Sequence, residues 1–236
     1  MNLKNLLNIP LVICLVFALV FLWSYVVPIQ PIYIEETEEV EWRSWERSVE
    51  LEVPSDYMQL WTCRTGLPFR ISLMVDDDPV ANQIADWIMQ NFPQNSDGYR
   101  AYVATQLISE NIRYVKDDFD HWKLPWETVR DGCGDCEDFS ILFCAVLRAM
   151  GQDAVILSEP NHALVGVCID AEGYHTMHNG KPYYFMSAQN KCFPGIEDYD
   201  VQWVYEPGWS LPNYVELMIY IVLTIICLYG IFVMRE

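Results

Sequence analysis

Two long apolar runs bracket a chain whose middle alternates with shorter periods. Residues 9–27 and 214–234 hold almost no charge, and each is about the length of helix that crosses a bilayer. Trp23 and Tyr25 close the first run, and Trp209 stands just before the second and Tyr214 at its start, as interfacial aromatic belts do. The sequence Pro28-Ile29-Gln30-Pro31 offers no small-x-small cleavage site, which favours an anchor over a removed signal peptide. Between the runs, residues 32–42 are acidic and mixed and read as a linker, while residues 48–53 alternate as a strand does. Asp78-Pro79 starts a helix that runs through Ile84, Trp87 and Ile88. Ser96 or Asp97 caps a second helix reaching to about Arg113, with Tyr102, Val103, Leu107, Ile108 and Ile112 in helical period. Residues 116–134, with Trp122, Pro125 and Trp126, read as a long loop. A third helix begins at Cys136, sets Phe139, Leu142, Val146 and Ala149 on one face, and stops at Gly151. Strands follow at 154–157, 163–169 and 182–187, and Asn179-Gly180 is a hairpin signal between the last two. This order predicts an α+β fold with the third helix packed on an antiparallel sheet, flanked by two transmembrane helices.

Charge refines that division. The formal net charge is −19, and the segment between the two apolar runs carries all of it. Such a surface repels nucleic acid and anionic lipid, so no nucleic-acid partner is expected. Lys4 lies outside the first span and Arg235 outside the second. By the positive-inside rule both termini are cytoplasmic and the intervening domain is extracytoplasmic, in a multi-pass protein of the cell membrane. The expected organisation is a tail over 1–8, a span over 9–27, a juxtamembrane linker with strands over 28–77, an α+β domain over 78–213, and a span over 214–234.

The chemistry-bearing stretch is Gly134-Asp135-Cys136-Glu137-Asp138-Phe139, followed by Asn161-His162-Ala163. It places one cysteine at a helix N-terminus and one histidine at the head of an apolar strand. The nucleophile is the thiolate, which a helix N-terminus and a nearby imidazole both favour. The first-turn N–H groups can also stabilise an oxyanion, and the histidine can carry the thiol proton to a leaving amine.

These residues carry a family resemblance. Tyr114, Trp122, Pro125, Glu127-Thr128 and Gly132 lead into Gly134-Asp135-Cys136-Glu137-Asp138-Phe139, and Leu147-Arg148-Ala149-Met150-Gly151 follows. Over roughly residues 80–190 the pattern resembles the core of transglutaminase-like cysteine enzymes, and among them the microbial transglutaminase-like cysteine peptidases. The resemblance implies a papain/transglutaminase-like core with a Cys, His, Asp triad and no cofactor. It assigns the nucleophile to Cys136 and the base to His162. Ser187, after the aromatic strand Tyr183-Tyr184-Phe185-Met186, stands where the family has its aspartate. A hydroxyl can accept a hydrogen bond from imidazole but cannot stabilise imidazolium as a carboxylate does. Gln189 or Asn190 takes the place if the register slips.

Two functional expectations follow. One is membrane-anchored, thiol-dependent acyl transfer on peptide or amide bonds, as a cysteine peptidase, amidase or transglutaminase. Its partners are a peptide or protein substrate and the bilayer. The other is a catalytically degenerate domain that binds peptides or proteins. Cys133-Gly134-Asp135-Cys136 also reads as Cys-x-x-Cys, but no thioredoxin-like order of elements surrounds it. A zinc site from Cys133, Cys136 and His162 lacks a fourth ligand, and Asp76-Asp77-Asp78 lacks the spaced ligands of a calcium loop. Glu137 and Asp138 are expected to support the helix start, and Trp122 and Trp126 to line a cleft or fill the core.

Overall fold

A computed structural model describes residues 32–33, 36–45, 47–55, 57–58, 74–116 and 122–207. All of them belong to one compact unit, Pro31–Gly208. The expected spans at 9–27 and 214–234, with their tails, lie outside the described residues. Among the described residues no helix is long and apolar enough to cross a membrane.

Glutamates disguise the first long strand. β1 (Ile32–Tyr33) pairs with β4 (Tyr57–Met58), and between them β2 (Thr37–Ser44) and β3 (Arg47–Pro54) form an antiparallel hairpin. Residues 37–42, read from sequence as linker, are therefore strand. Glu39 and Glu41 point outward, while Trp42 and Ser44 are buried on the alternate face, which begins with the exposed Glu38. Trp42, Val49, Leu51 and Val53 join the same apolar core as the helices.

α1 (Pro79–Asn91) begins where its residues dictate. Asp78 Oδ1 accepts the N–H groups of Val80 and Ala81 at 2.9 Å each, and Pro79 occupies the first turn, where its missing N–H costs nothing. Asp78 Oδ2 also accepts the Trp126 N–H at 3.3 Å. Burial pushes the Asp78 carboxyl up to about 6, against the pull of these backbone donors, and the Glu127 charge adds to the rise. Its folded pKa thus lies above the unfolded value of about 3.9, so its stabilising contribution is present below pH 3.9 and is lost as pH rises through about 6. Relative to Asp78→Asn, the wild type is expected to lose about 2–3 kcal/mol of stability between pH 4 and pH 7, measured by denaturant unfolding. A constant difference across that range rules this assignment out.

α2 (Asp97–Asn111) is capped by Ser96, whose hydroxyl accepts the Tyr99 N–H at 3.2 Å. The stretch expected to be loop contains α3 (Pro125–Asp131). Its start uses Pro125 in the first turn and the Glu127 carboxylate on the Leu124 N–H at 2.8 Å, and Gly132 ends it at φ 60°. β5 (Arg113–Tyr114) and β6 (Cys133–Gly134) then pair in parallel and lead into α4 (Cys136–Ala149). Trp126 is wholly buried, so it fills the core rather than lining a cleft.

The chain finishes as a five-stranded antiparallel sheet. Its order is β11 (Trp203–Tyr205), β7 (Asp153–Glu159), β8 (His162–Cys168), β10 (Lys181–Met186) and β9 (His175–His178). Ala154, Ile156, Val165, Val167 and Met186 join the core that α4 fills, and Val155, Leu157, Leu164, Tyr183 and Phe185 form a second cluster. Alternate residues along β7, β8 and β10 supply the two clusters, as the pleat requires. Asn179 and Gly180, at φ 49° and 78°, make the two-residue turn that this dipeptide suits. That turn joins β9 to β10, not β8 to β10 as the sequence suggested. The result is a mixed helix and sheet fold in which the start of α4 meets the start of β8.

Candidate active site

The helix start is built from acid and glycine. Asp138, 2% exposed, accepts the Asp135 N–H at 3.3 Å and the Lys123 N–H at 2.7 Å with its two oxygens. It thus ties the segment before α3 to the first turn of α4. Gly134 is required beside it, because a Cβ there would stand 2.6 Å from Asp138 Cβ. Parallel pairing of Tyr114 with Gly134, and the Val115 N–H on the Gly134 carbonyl at 2.8 Å, fix the same corner.

Cys136 occupies the first position of α4 and is 7% exposed. Its thiol donates to Glu137 Oε2 at 2.9 Å. Burial pushes the thiol up to about 12, the Glu137 hydrogen bond and charge and the Asp135 charge add to this, and the Ala163 N–H at the sulfur opposes it. The helix N-terminus was expected to lower this pKa. Desolvation and the adjacent carboxylates outweigh it, so this conformation holds the protonated thiol. Glu137, expected to support the helix start, is the thiol's partner.

His162 opens β8, after Asn161 in a left-handed conformation at φ 70°, and its cross-strand partner is Glu159. The next residue, Ala163, brings its N–H to the Cys136 sulfur, so the two strand and helix starts do converge. Among the described residues no hydrogen bond joins the thiol to the His162 ring. The ring instead stacks on Tyr199, with centroids 5.8 Å apart and planes 30° from parallel. Ser187 follows β10 directly and is buried. Its hydroxyl accepts the Gln189 N–H at 3.4 Å, and its carbonyl accepts the Asn190 N–H at 3.2 Å. Continuing the β8–β10 register one step past Met186–Val165 sets Ser187 opposite Leu164, two residues from His162.

Three residues join the site that the sequence did not single out for it. The Tyr114 ring lies against Phe139 in the first turn of α4, with centroids 6.3 Å apart, and its hydroxyl is pushed up by desolvation and then by the charges of Cys136, Asp135 and Glu137. Tyr199 and Glu197 arrive from the segment after β10, and no sequence signal marked them. The Cys-x-x-Cys pair is not a disulfide here: Cys133 and Cys136 are free thiols. Backbone extended from Cys133 through Asp135 separates such α-carbons by about 10 Å, beyond the reach of a disulfide. Lys123 Nζ lies 4.0 Å from the Cys133 sulfur and donates to its carbonyl at 2.9 Å. Among the described residues no three His, Cys, Asp or Glu side chains gather as a metal site would require. Asp76 pairs with Arg148 at 2.8 Å, and Asp78 is committed to its cap. A cavity of about 520 Å³ opens beside these aspartates and Gln152, at the end of α4 about 20 Å from Cys136, and has no part in the thiol chemistry.

Residues 79–181 match the family model of the transglutaminase-like superfamily. Cys136 and His162 lie within the matched stretch, and Ser187 lies beyond it. No curated protein matches the sequence. Among solved structures, a candidate cysteine protease of Cytophaga hutchinsonii is similar at 16% identity and a TM-score of 0.36, over 69% of this chain and 65% of that one. A candidate protease of Parabacteroides distasonis is similar at 10% identity and a TM-score of 0.38, over 69% of this chain and 41% of that one. The chain thus spans less than two thirds of either protein.

Proposed function

We propose that this chain, with its transglutaminase-like domain over residues 79–181, performs thiol-dependent acyl transfer on peptide or amide bonds, with Cys136 as nucleophile and His162 as base. The observation that carries the reading is the convergence of the starts of α4 and β8 at the Cys136 sulfur and the Ala163 N–H. In the reaction, the sulfur leaves Glu137 by rotation about its Cα–Cβ bond and passes its proton to His162. Catalytic hydrogen bonds often tighten in this way only when substrate is bound. The sulfur then bonds to the carbonyl carbon while the carbonyl π pair moves to oxygen. The oxyanion meets first-turn N–H groups of α4, which have no carbonyl partner within the helix. Collapse expels the amine, which takes the proton from His162. Water or a second amine then resolves the thioester, giving a peptidase or amidase in the first case and a transglutaminase in the second. The apolar runs at 9–27 and 214–234 support a bilayer anchor with this domain on the extracytoplasmic face.

A second reading, a peptide- or protein-binding module without catalysis, is favoured by the serine at position 187 and by the proton held on Cys136. Iodoacetamide labelling of the full chain, read by mass spectrometry at each cysteine, separates the two. With Glu137 replaced by Gln to release the sulfur, Cys136 is expected to outpace Cys133 at pH 7. Adding His162→Ala should slow it about tenfold or more, the usual contribution of a positioned base. Equal rates at Cys136 and Cys133, or a Cys136 rate indifferent to His162, favour the binding module. For the topology, protease added to intact cells should digest the domain, and complete protection would reverse the orientation.

A further inference from the structure

No carboxylate bonds to the His162 ring among the described residues. Ser187 offers only a hydroxyl, and the cross-strand Glu159 has one oxygen on the Asp200 N–H at 3.2 Å. What the ring does touch comes from the segment after β10, which returns to the sheet and pairs as β11 along β7. Tyr199 stacks on the imidazole and lies edge-on to Phe185 at 6.0 Å, packed against the cluster that holds Leu157 and Leu164. Its hydroxyl donates to Glu197 Oε2. Asn190 Nδ2 donates to the same carboxylate oxygen at 2.8 Å and to the phenol at 3.3 Å. A carboxylate is thus held at the far end of the ring on which the imidazole lies.

We infer that Tyr199 and Glu197 together replace the missing triad acid as positioning residues for His162, Tyr199 by stacking on the ring and Glu197 by acting through the phenol. A phenol that donates to a carboxylate gains electron density on its ring. An electron-rich face within about 6 Å attracts a cation, so it favours imidazolium over neutral imidazole. Partial burial strengthens both links of this relay. Stacking also fixes the plane of the ring, the orienting part of a triad acid's role. The inference rests on the acyl-transfer reading, in which His162 takes the thiol proton.

Several ionisable groups lie on the elements that converge at His162 and must be separated by experiment. β7 supplies Glu159, the start of α4 supplies Cys136 and Glu137, and the return segment supplies Cys192, Glu197, Asp198, Tyr199 and Asp200. The test follows Cys136 alkylation by iodoacetamide from pH 6 to pH 11, in the full chain and in its Glu137→Gln form. Glu197→Gln and Tyr199→Phe are each expected to slow the reaction about tenfold in the range where imidazolium supports the thiolate, a part of what a positioned base contributes. Both should match the parent near pH 11, where hydroxide rather than imidazole takes the thiol proton. Ser187→Asp added to Glu197→Gln should restore the rate by returning a carboxylate to the family position. Tyr199→Phe keeps the ring and the packing, so its result stands even if the Ser187→Asp substitution disrupts folding.

Rates unchanged by Glu197→Gln overturn the inference, as does a slowing that is uniform at every pH. Loss caused by Glu159→Gln instead would assign the role to Glu159. If the rate depends on His162 but ignores Tyr199 and Glu197, only this inference falls. If the rate ignores His162, the acyl-transfer reading falls and takes the inference with it.

Discussion

Glu137→Gln is expected to raise the iodoacetamide reactivity of Cys136 at pH 7 by about tenfold or more, while Cys133 reacts as before. The thiol is pushed up to about 12 by burial first, and next by the hydrogen bond and charge of Glu137. Glutamine keeps the size of the side chain and removes the charge. The Ala163 N–H at the sulfur and the α4 N-terminus then act with less opposition. Each unit by which the thiol pKa falls gives about ten times more thiolate at neutral pH. The stability consequence has a definite sign. Because the folded pKa lies above the unfolded value of about 8.5, the protonated thiol contributes stability that is complete below pH 8.5 and is lost as pH rises toward 12. Glu137→Gln should therefore flatten the loss of stability on the alkaline side. A Cys136 rate unchanged by the substitution would mean that Glu137 does not hold the proton.

The same carboxylate links the two functional readings. With the thiol bonded to Glu137 the sulfur holds its proton, the state the binding-module reading requires. With the sulfur turned to His162 the same residues form a nucleophile and its base. The difference is one side-chain rotation, a small change compared with the geometry already fixed by Gly134, Asp138 and the β5–β6 corner.

Local chemistry made much of the scaffold legible. Asp78-Pro79 and Ser96 announced two helix starts because a short polar side chain before a helical run has N–H groups to satisfy. α3 was missed although its signals were present: proline in the first turn, Glu127 two residues later, and Gly132 just past the end. Its seven residues are too few to display a helical period. β2 was hidden because its outward positions are glutamates, and its inward Trp42 is recognisable only with β3 beside it. The hairpin dipeptide Asn179-Gly180 was right as a turn and wrong in its partner, since β9 is four residues long and half exposed. Cys136 and His162 were readable as a pair because each stands at the start of a regular element. The thiol's actual partner was not, because Glu137 and His162 compete for it through packing that no local pattern encodes. Tyr199 and Glu197 reach His162 only after the chain has returned to the sheet.

Asp138→Ala is expected to cost about 2–6 kcal/mol, about 1–3 for each of the two buried backbone donors it leaves unsatisfied. Asp138 Oδ1 takes the Lys123 N–H at 2.7 Å, and Oδ2 takes the Asp135 N–H at 3.3 Å. Alanine supplies neither acceptor, and no water reaches a site 2% exposed without opening the corner. The first turn of α4 also loses a negative charge near its positive pole, worth about 0.3–1 kcal/mol within the total. Asp138→Asn keeps one acceptor, so its cost should be about half as large. The loss should reach the chemistry as well. With Lys123 and Asp135 released, the start of α4 frays and Cys136 becomes more accessible, but it no longer sits beside Ala163. Alkylation of Cys136 should then rise while losing its dependence on His162. Urea unfolding of the two variants, paired with the same labelling in the His162→Ala background, checks both parts. A destabilisation below about 1 kcal/mol for Asp138→Ala, the range of a single net hydrogen bond, would show that the corner is held by its other contacts.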